Sequence, residues 1–505
     1  MEGPVCLIEN TSAGDLLVNE EALVILSSIR QPVVVVSIVG MYRTGKSYLM
    51  NRLAGKCKGF SVGSTIRSVT KGIWMWCVPQ DGDDRTLVLL DTEGLGDVEK
   101  GDQKNETWLF ALAILLSSTL IYNSMGTINN EALMSLHYVT ELTNHIKLRS
   151  TAEGEKDVEL AGCFPSFVWA LRDFMLELDL DGQTVTADEY LENSLRIKAG
   201  NNQNITISNA ARSCIKKYFP CRKCFVFDPP TSKENLKTIE QLSDDELAPA
   251  FVEQILEFCD YISHNARVKI VKGEAVLTGR MLGNLVKIYV KTIMTGDIPC
   301  LENAVMALAK IENQTALEQS FALYRQNMEQ QVNWPTDTEK ELHDIHRHCQ
   351  QEALQLFRTR SFKDDDQQYQ NELKERIKTD YTRTREENER RSLDHCIVLL
   401  EELWRRIDTD SFMKPNGYRA YTIRVQSIIK EYKALPRKGV MADGALQKFM
   451  DGKADLENSI RKADEELTEQ ENRTREERLK HEQQMLEIHK ANEQHLRETV
   501  GVIIL

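Results

Sequence analysis

Residues 40–47 read GMYRTGKS, and this octapeptide decides the fold of everything before residue 300. Gly40 and Gly45 let the backbone curl so that its N–H groups face a phosphate, Lys46 supplies a mobile cation, and Ser47 offers a hydroxyl to Mg2+. An apolar run, PVVVVSIVG, leads into the loop and YLMNRLAG leads out of it. That is the strand, loop and helix a phosphate-binding loop requires, and a chance glycine-rich turn would lack it. Arg43, in the middle of the loop, is not explained by phosphate cradling alone.

Working outward, residues 31 to about 230 offer short apolar or aromatic runs: PVVVVSIVG, GIWMWCVP, TLVLLDTEG, SSTLIYN, SFVWALRD and KCFVFDPP. Most are apolar at successive positions, the pattern of strands covered on both faces in a parallel sheet flanked by helices. KSYLMNRLAG and NEALMSLHYVTELTNHI supply helical segments between them. The expected fold is an α/β amino-terminal P-loop domain with a doubly wound sheet, its ligand crevice beyond the carboxyl ends of the strands. After Pro299 strand-like runs vanish. Leu342, Ile345, Cys349, Ala353 and Leu356 step by three and four along one helical stripe, and NWPTDT, MKPNGY and LPRKGVMADG separate the helices. From about residue 456 a highly charged helix carries Leu456, Ile460, Ala463 and Leu467, a stripe that lapses at Gln470 and Thr474 and makes a weak coiled-coil pattern. The expected division is therefore an α/β domain over 1–300, an elongated all-α domain over 301–455 and a truncated helical tail over 456–505.

Composition bounds the partners. A chain of 505 residues, 41% hydrophobic and 28% charged, is folded and multidomain. Sixty-three basic against 77 acidic residues leave a net charge of −14, which repels nucleic acid and anionic lipid at long range. The amino terminus MEGPVCLIEN has no signal-peptide pattern. WLFALAILLSSTLIY, at 108–122, falls short of the ~20 residues of a bilayer span and reads as a buried helix running into a strand. The 11 cysteines are too sparse for a disulfide scaffold, so a cytoplasmic location is expected. Cys221 and Cys224, in CRKC, have half a zinc spacing with no second half, and read as reduced thiols.

Three further stretches complete a site. DTEG, 91–94, closes the strand TLVLLD, so Asp91 is the metal-side carboxylate, with Glu93 and Gly94 where a loop senses the γ-phosphate. STIRSVTKG, 64–72, is a polar stretch of switch character; Thr70 is the best placed hydroxyl for the metal shell, with Ser64, Thr65 and Ser68 as alternatives. SFVWALRD ends in Arg172 and Asp173, and a carboxylate there accepts from both N1–H and the exocyclic amine of guanine, whereas adenine presents an acceptor at N1. That favours GTP over ATP. The competing reading is an Arg-Asp surface ion pair.

Taken in order, GMYRTGKS, STIRSVTKGIWMW, DTEGLGDVEKGD and FVWALRDF resemble the guanylate-binding proteins, interferon-inducible large GTPases related to dynamins. The similarity extends through LPRKG into the helical tail. It implies an α/β GTPase domain, a helical middle domain and a helical effector region. By the same resemblance Arg43 is an internal arginine finger that swings onto the phosphates when two GTPase domains meet, Ser68 positions the attacking water, Thr70 completes the metal site and Glu93 joins the water network. The nucleotide-contacting set is then Gly40, Tyr42, Arg43, Thr44, Gly45, Lys46, Ser47, Tyr48, Thr70, Asp91, Gly94, Arg172 and Asp173, with Ser47, Thr70 and Asp91 on Mg2+. Lys46 acts in catalysis as well as binding. The family converts GTP to GDP and, in some members, onward to GMP. It assembles as homodimers or larger oligomers through the GTPase domain, or with other members, in cell-autonomous innate immunity.

Three departures from the family pattern stand out. Ala170 replaces the usual threonine before Leu-Arg-Asp. The loop after CFVFD reads PPTSKEN, with Pro229 and Lys233 where some members carry arginines that shape the guanine cap and dimer face. The last residues are VGVIIL, with no prenylation box, so membrane contact on vesicles or pathogens is expected only through assembly or local contacts. The alternative function, from a different class, is a nucleotide-gated scaffold or regulator of longer members with little turnover of its own.

Overall fold

The computed structural model describes residues 1–62, 70–79, 84–96, 103–134, 136, 164–200, 202–271 and 275–502. It divides into two compact units, Met1–Glu312 and Asn313–Leu505.

The first unit is built on β1 (Val5–Asn10), β2 (Leu16–Val18), β3 (Val33–Gly40), β4 (Ile73–Pro79), β5 (Thr86–Thr92), β6 (Thr119–Met125), β7 (Ser166–Arg172) and the strand Arg222–Val226. From one edge the sheet runs Arg222–Val226, β7, β6, β3, β5, β4, β1, β2. The five strands from Arg222–Val226 to β5 are parallel, as their unbroken apolar runs imply. β3 is buried at every position and lies between β5 and β6, which puts the loop at its end in the centre of the sheet's carboxyl edge.

One of the apolar runs departs from the parallel pattern. GIWMWCVP, as β4, runs antiparallel to β5, and β1 and β2 extend that antiparallel edge. A connection as short as Pro79 to Thr86 cannot make the crossover that parallel neighbours need.

Helices α1 (Glu20–Ser28), α2 (Lys46–Leu53), α3 (Gln103–Leu116) and α4 (Asn130–Met134) accompany the early strands. WLFALAILLSSTLIY is the end of α3 running into β6. Of NEALMSLHYVTELTNHI only the start, as α4, and buried Leu136 are described; the other residues lie outside the described set. On one face of the sheet, Tyr48, Leu49 and Met50 of α2 share a core with Val36, Val168, Ala170 and Phe227, and with Phe251, Ile255 and Phe258 of the helix Pro249–Asn265.

The helix Leu301–Gln331 opens the helical part of the chain, and the division between the units falls within it, at Glu312. Its first turns belong with the α/β unit because buried Glu312 pairs with Arg280 and accepts a hydrogen bond from Asn284 at 2.8 Å. The second unit continues through helices Glu339–Arg360, Gln368–Trp404, Gly417–Ala434, Ala442–Asp451 and Ala454–Val502. They are broken at NWPTDT, MKPNGY and LPRKGVMADG as the sequence marks, and also at residues 361–367 and 452–453, which it does not. The buried stripe of Glu339–Arg360 is Leu342, His346, Cys349, Ala353 and Phe357, rotated from the apolar reading so that a histidine enters the core and Leu356 sits at its margin. On the last helix residues 469–495 are exposed, beyond the point where the apolar stripe lapses. Its first turns dock on Gly417–Ala434: the Asp464 carboxylate accepts from the backbone N–H of Asn416 at 2.6 Å and Tyr418 at 3.1 Å.

Candidate functional site

β3 ends at Gly40, whose φ of +150° belongs to glycine, and a Cβ there would lie 2.0 Å from the backbone oxygen of Asn123. The loop can therefore turn only where a side chain is missing. β6 secures it from the side: buried Asn123 donates to the Thr44 carbonyl at 2.8 Å. The next loop secures it from above, through Tyr42 N–H to Leu95 O at 3.0 Å and Leu95 N–H to Gly40 O at 3.1 Å. The two backbones meet so closely that a Cβ on Gly94 would lie 2.4 Å from Tyr42 Cα.

Beneath this loop is a cavity of about 350 Å3. Of the sequence-assigned residues, Tyr42, Arg43, Thr44, Gly45, Lys46, Ser47, Tyr48, Thr70, Gly94, Arg172 and Asp173 line it. The Lys46 ammonium is buried and rests on the carbonyls of Gly40 at 3.2 Å and Met41 at 3.1 Å. Ser47 Oγ donates to Asp91 Oδ2 at 2.6 Å. Asp91 stands behind that hydroxyl, 1% exposed, and its Oδ1 is buried without a hydrogen-bond partner among the described residues. Burial pushes the Asp91 carboxyl up to about 6 against the opposing pull of Lys46, Ser47 and Thr70. Burial lowers Lys46 to about 8, opposed by Asp91. A hard cation fits these donors: a carboxylate whose charge burial penalises, with a lone oxygen, beside two hydroxyls.

Arg43 adopts φ +67°, left-handed backbone that non-glycine residues rarely occupy, and is exposed where it borders the cavity. Asp173 is likewise at φ +53°. Its neighbour Arg172 is buried, with Nη1 3.4 Å from the Gly45 carbonyl and the guanidinium over the rings of Phe251 and Phe227 at 5.4 and 5.7 Å. Burial lowers its pKa. Arg172 is therefore not the surface half of an ion pair; it forms the floor under the loop.

Three described residues of the assigned set do not line the cavity: Gly40, where β3 ends, Asp91, behind Ser47, and Glu93. Ser68 lies outside the described residues. Glu93 is 4% exposed and turned aside, its Oε2 accepting from Gly72 N–H at 2.8 Å and Asn10 Nδ2 at 3.0 Å. Ala170 is fully buried in the core between α2 and the Pro249–Asn265 helix, and does not line the cavity. Sequence reading missed an apolar wall made by Val62, Met125, Pro230, Leu236 and Ile239. Three of these come from the segment after the strand Arg222–Val226, where only Pro229 and Lys233 drew attention. Cys221 is exposed and Cys224 buried, its thiol raised by burial; among the described residues no three His, Cys, Asp or Glu side chains are grouped to hold a metal. No helix among the described residues is long and apolar enough to cross a membrane.

Two sequence families cover the chain: "Guanylate-binding protein, N-terminal domain" matches residues 13–271 and "Guanylate-binding protein, C-terminal domain" matches 273–500. The chain is 50% identical to guanylate-binding protein 2 of Homo sapiens over 488 residues, 95% of this chain and 82% of the relative. It is 49% identical to guanylate-binding protein 1 of Homo sapiens over 490 residues, 95% of this chain and 83% of the relative. Guanylate-binding protein 7 of Mus musculus is 49% identical over 481 residues, 93% of this chain and 75% of the relative.

Proposed function

Because the chain belongs to the guanylate-binding proteins, a family of large GTPases, we propose that it binds GTP with Mg2+ and hydrolyses it to GDP. The observation that carries this reading is one cavity faced at once by the Lys46 cation, the Ser47 hydroxyl and the Asp173 carboxylate. Lys46 transfers from its two loop carbonyls to the β- and γ-phosphate oxygens, and the loop N–H groups with the α2 terminus take the remaining charge. Ser47, Thr70 and Asp91 would hold the cation, which when bound neutralises charge on the phosphate oxygens. Asp173 reads N1–H and the exocyclic amine of guanine, while Met125, Leu236 and Ile239 supply apolar surface for the purine faces.

Arg43 is the finger. Its guanidinium keeps its charge at any working pH and offers a fork of donors to the departing phosphoryl oxygens. Its exposed position leaves it able to swing inward when a second copy covers the cavity. Ser68 and Glu93 order the attacking water. Self-assembly through the GTPase unit, alone or with other family members, and action in interferon-induced defence in the cytoplasm complete the reading. The test is titration of the purified chain with GTP, GDP and ATP in Mg2+, followed by turnover at rising protein concentration. Guanine-selective binding and turnover per molecule that climbs with concentration are expected; ATP binding equal to GTP would refute the base assignment.

A further inference from the structure

Thr92 and Gly94 both line the nucleotide cavity, yet Glu93 between them does not. Its carboxylate is drawn towards the antiparallel edge of the sheet, where Gly72 N–H and Asn10 Nδ2 both donate to Oε2, at 2.8 and 3.0 Å. Asn10 is the last residue of β1, and both ends of its amide are engaged: the nitrogen on Glu93, and Oδ1 accepting from Asn105 Nδ2 at 2.9 Å. Asn105 is itself buried at the start of α3 and donates also to Gly14 O at 3.0 Å. The amide of Asn10 therefore cannot turn without releasing a second buried partner. Donors to a carboxylate are charge-assisted, the stronger class of hydrogen bond, so this arrangement fixes the carboxylate's direction as well as its presence.

We propose that Asn10 is a positioning residue that latches Glu93 away from the nucleotide, so that turnover requires the Asn10–Glu93 bond to break and the carboxylate to rotate into the cavity. This rests on the reading of Glu93 as the carboxylate that orders the attacking water. Gly72, which shares Oε2, follows Thr70 by two residues, so releasing the carboxylate also frees the amide at the base of the switch stretch. An edge strand outside the phosphate-binding motifs would thereby set the resting activity by population shift: removing one donor raises the fraction of molecules with Glu93 turned inward.

The experiment uses the full chain and two readouts. In Asn10→Ala, kcat for GTP at low protein concentration should rise about ten- to a hundredfold with KM unchanged, the effect of losing one charge-assisted bond from the resting state only. Combining it with Glu93→Gln should remove the gain entirely. Independently of turnover, amide hydrogen exchange of the nucleotide-free protein at Gly72 should quicken about three- to tenfold in Asn10→Ala, since its acceptor is no longer held. Asn105→Ala, which loosens Asn10 while leaving β1 intact, should move both readouts the same way by less. A fall in kcat, or unchanged exchange at Gly72, would overturn the latch. Should Glu93→Gln alone leave kcat intact, the water-ordering reading of Glu93 fails, and the exchange arm still decides whether Asn10 holds it.

Discussion

Among the described residues of Met1–Glu312, Asp91 Oδ1, Asn123 Oδ1 and Arg172 Nε, on side chains that bond to residues 44–47, and the hydroxyls of Ser37, Ser117 and Thr119, which do not line the cavity, are buried with no hydrogen-bond partner, whereas in Asn313–Leu505 most buried polar side chains are paired with backbone or with another side chain. Asn313 exchanges two bonds with the backbone of Phe362, at 2.9 and 2.7 Å; Asn388 accepts from the backbone N–H of Thr336 at 3.0 Å and donates to its hydroxyl at 2.9 Å. Ser392 donates to Lys438 O and accepts from Met441 N–H, at 3.0 and 2.9 Å. His346 Nδ1 meets the Tyr324 hydroxyl at 2.9 Å while its ring stacks on Tyr381 with centroids 3.8 Å apart. Only Ser320 and Tyr421 hydroxyls break the pattern there among the described residues. An unsatisfied buried polar atom costs about 1–3 kcal/mol, and beside the loop such atoms include a carboxylate oxygen and a guanidinium nitrogen, whereas in the helical unit they are two hydroxyls. The loop region is left unfinished; the helical unit is nearly finished.

The largest effects should come from the unfinished region and leave the fold standing. Lys46→Ala should remove measurable binding of GTP and GDP by calorimetry, with circular dichroism unchanged. Arg43→Ala should keep nucleotide affinity and lose about a thousandfold or more in kcat, the scale expected of the proposed arginine finger. Equal loss of affinity and kcat would make Arg43 a structural part of the loop and blur the contrast between binding and chemistry.

The finished region should answer in the opposite currency. Phe357→Ala, at a position 1% exposed in the core with Tyr324, Leu342 and Leu373, should lower stability by about 3–5 kcal/mol in urea unfolding while GDP affinity stays within about twofold. Asp173→Asn comes next in size: guanine preference over adenine should shrink by about ten- to a hundredfold with unfolding unchanged. An unaltered preference would return Asp173 to a structural role.

What could be read from the chain follows the same divide. Gly40, Lys46, Ser47 and Asp91 are legible because one short loop and one strand end carry their chemistry in fixed local spacing. Arg172 was legible as a position but not as a role: nothing in SFVWALRD shows a guanidinium folding under Gly45 and over two phenylalanines. The apolar wall could not be read, since Met125 and Leu236 are brought together only by the sheet order. β1 and β2 were missed because VCLIEN and LLV are short and their antiparallel pairing is a tertiary outcome. His346 was missed for a related reason. An apolar stripe counts hydrophobic residues, and a neutral imidazole with a hydroxyl partner and an aromatic neighbour packs as one.

The smallest effect is also the sharpest test of the contrast, because it has a sign. Asp91 has its carboxyl raised from 3.8 to about 6, so between those values the folded protein holds a proton the unfolded chain has lost; its contribution to stability falls as pH rises through that window. His346 is lowered from 6.5 to about 4 by burial, with His343 adding to the shift, so there the unfolded chain holds the extra proton. Its contribution is complete above pH 6.5 and is lost as pH falls towards 4. Stability of the wild type relative to Asp91→Asn should therefore decline from pH 4 to 6, and relative to His346→Gln should climb from pH 4 to 6.5, in urea titrations at fixed salt. Adding GDP and Mg2+ should flatten or reverse the first slope, because the cation needs the ionised carboxylate, and should leave the second untouched. Two slopes of one sign would mean that Asp91 is stabilised as a charge by its own protein, and the cavity would then have no electrostatic need of a metal.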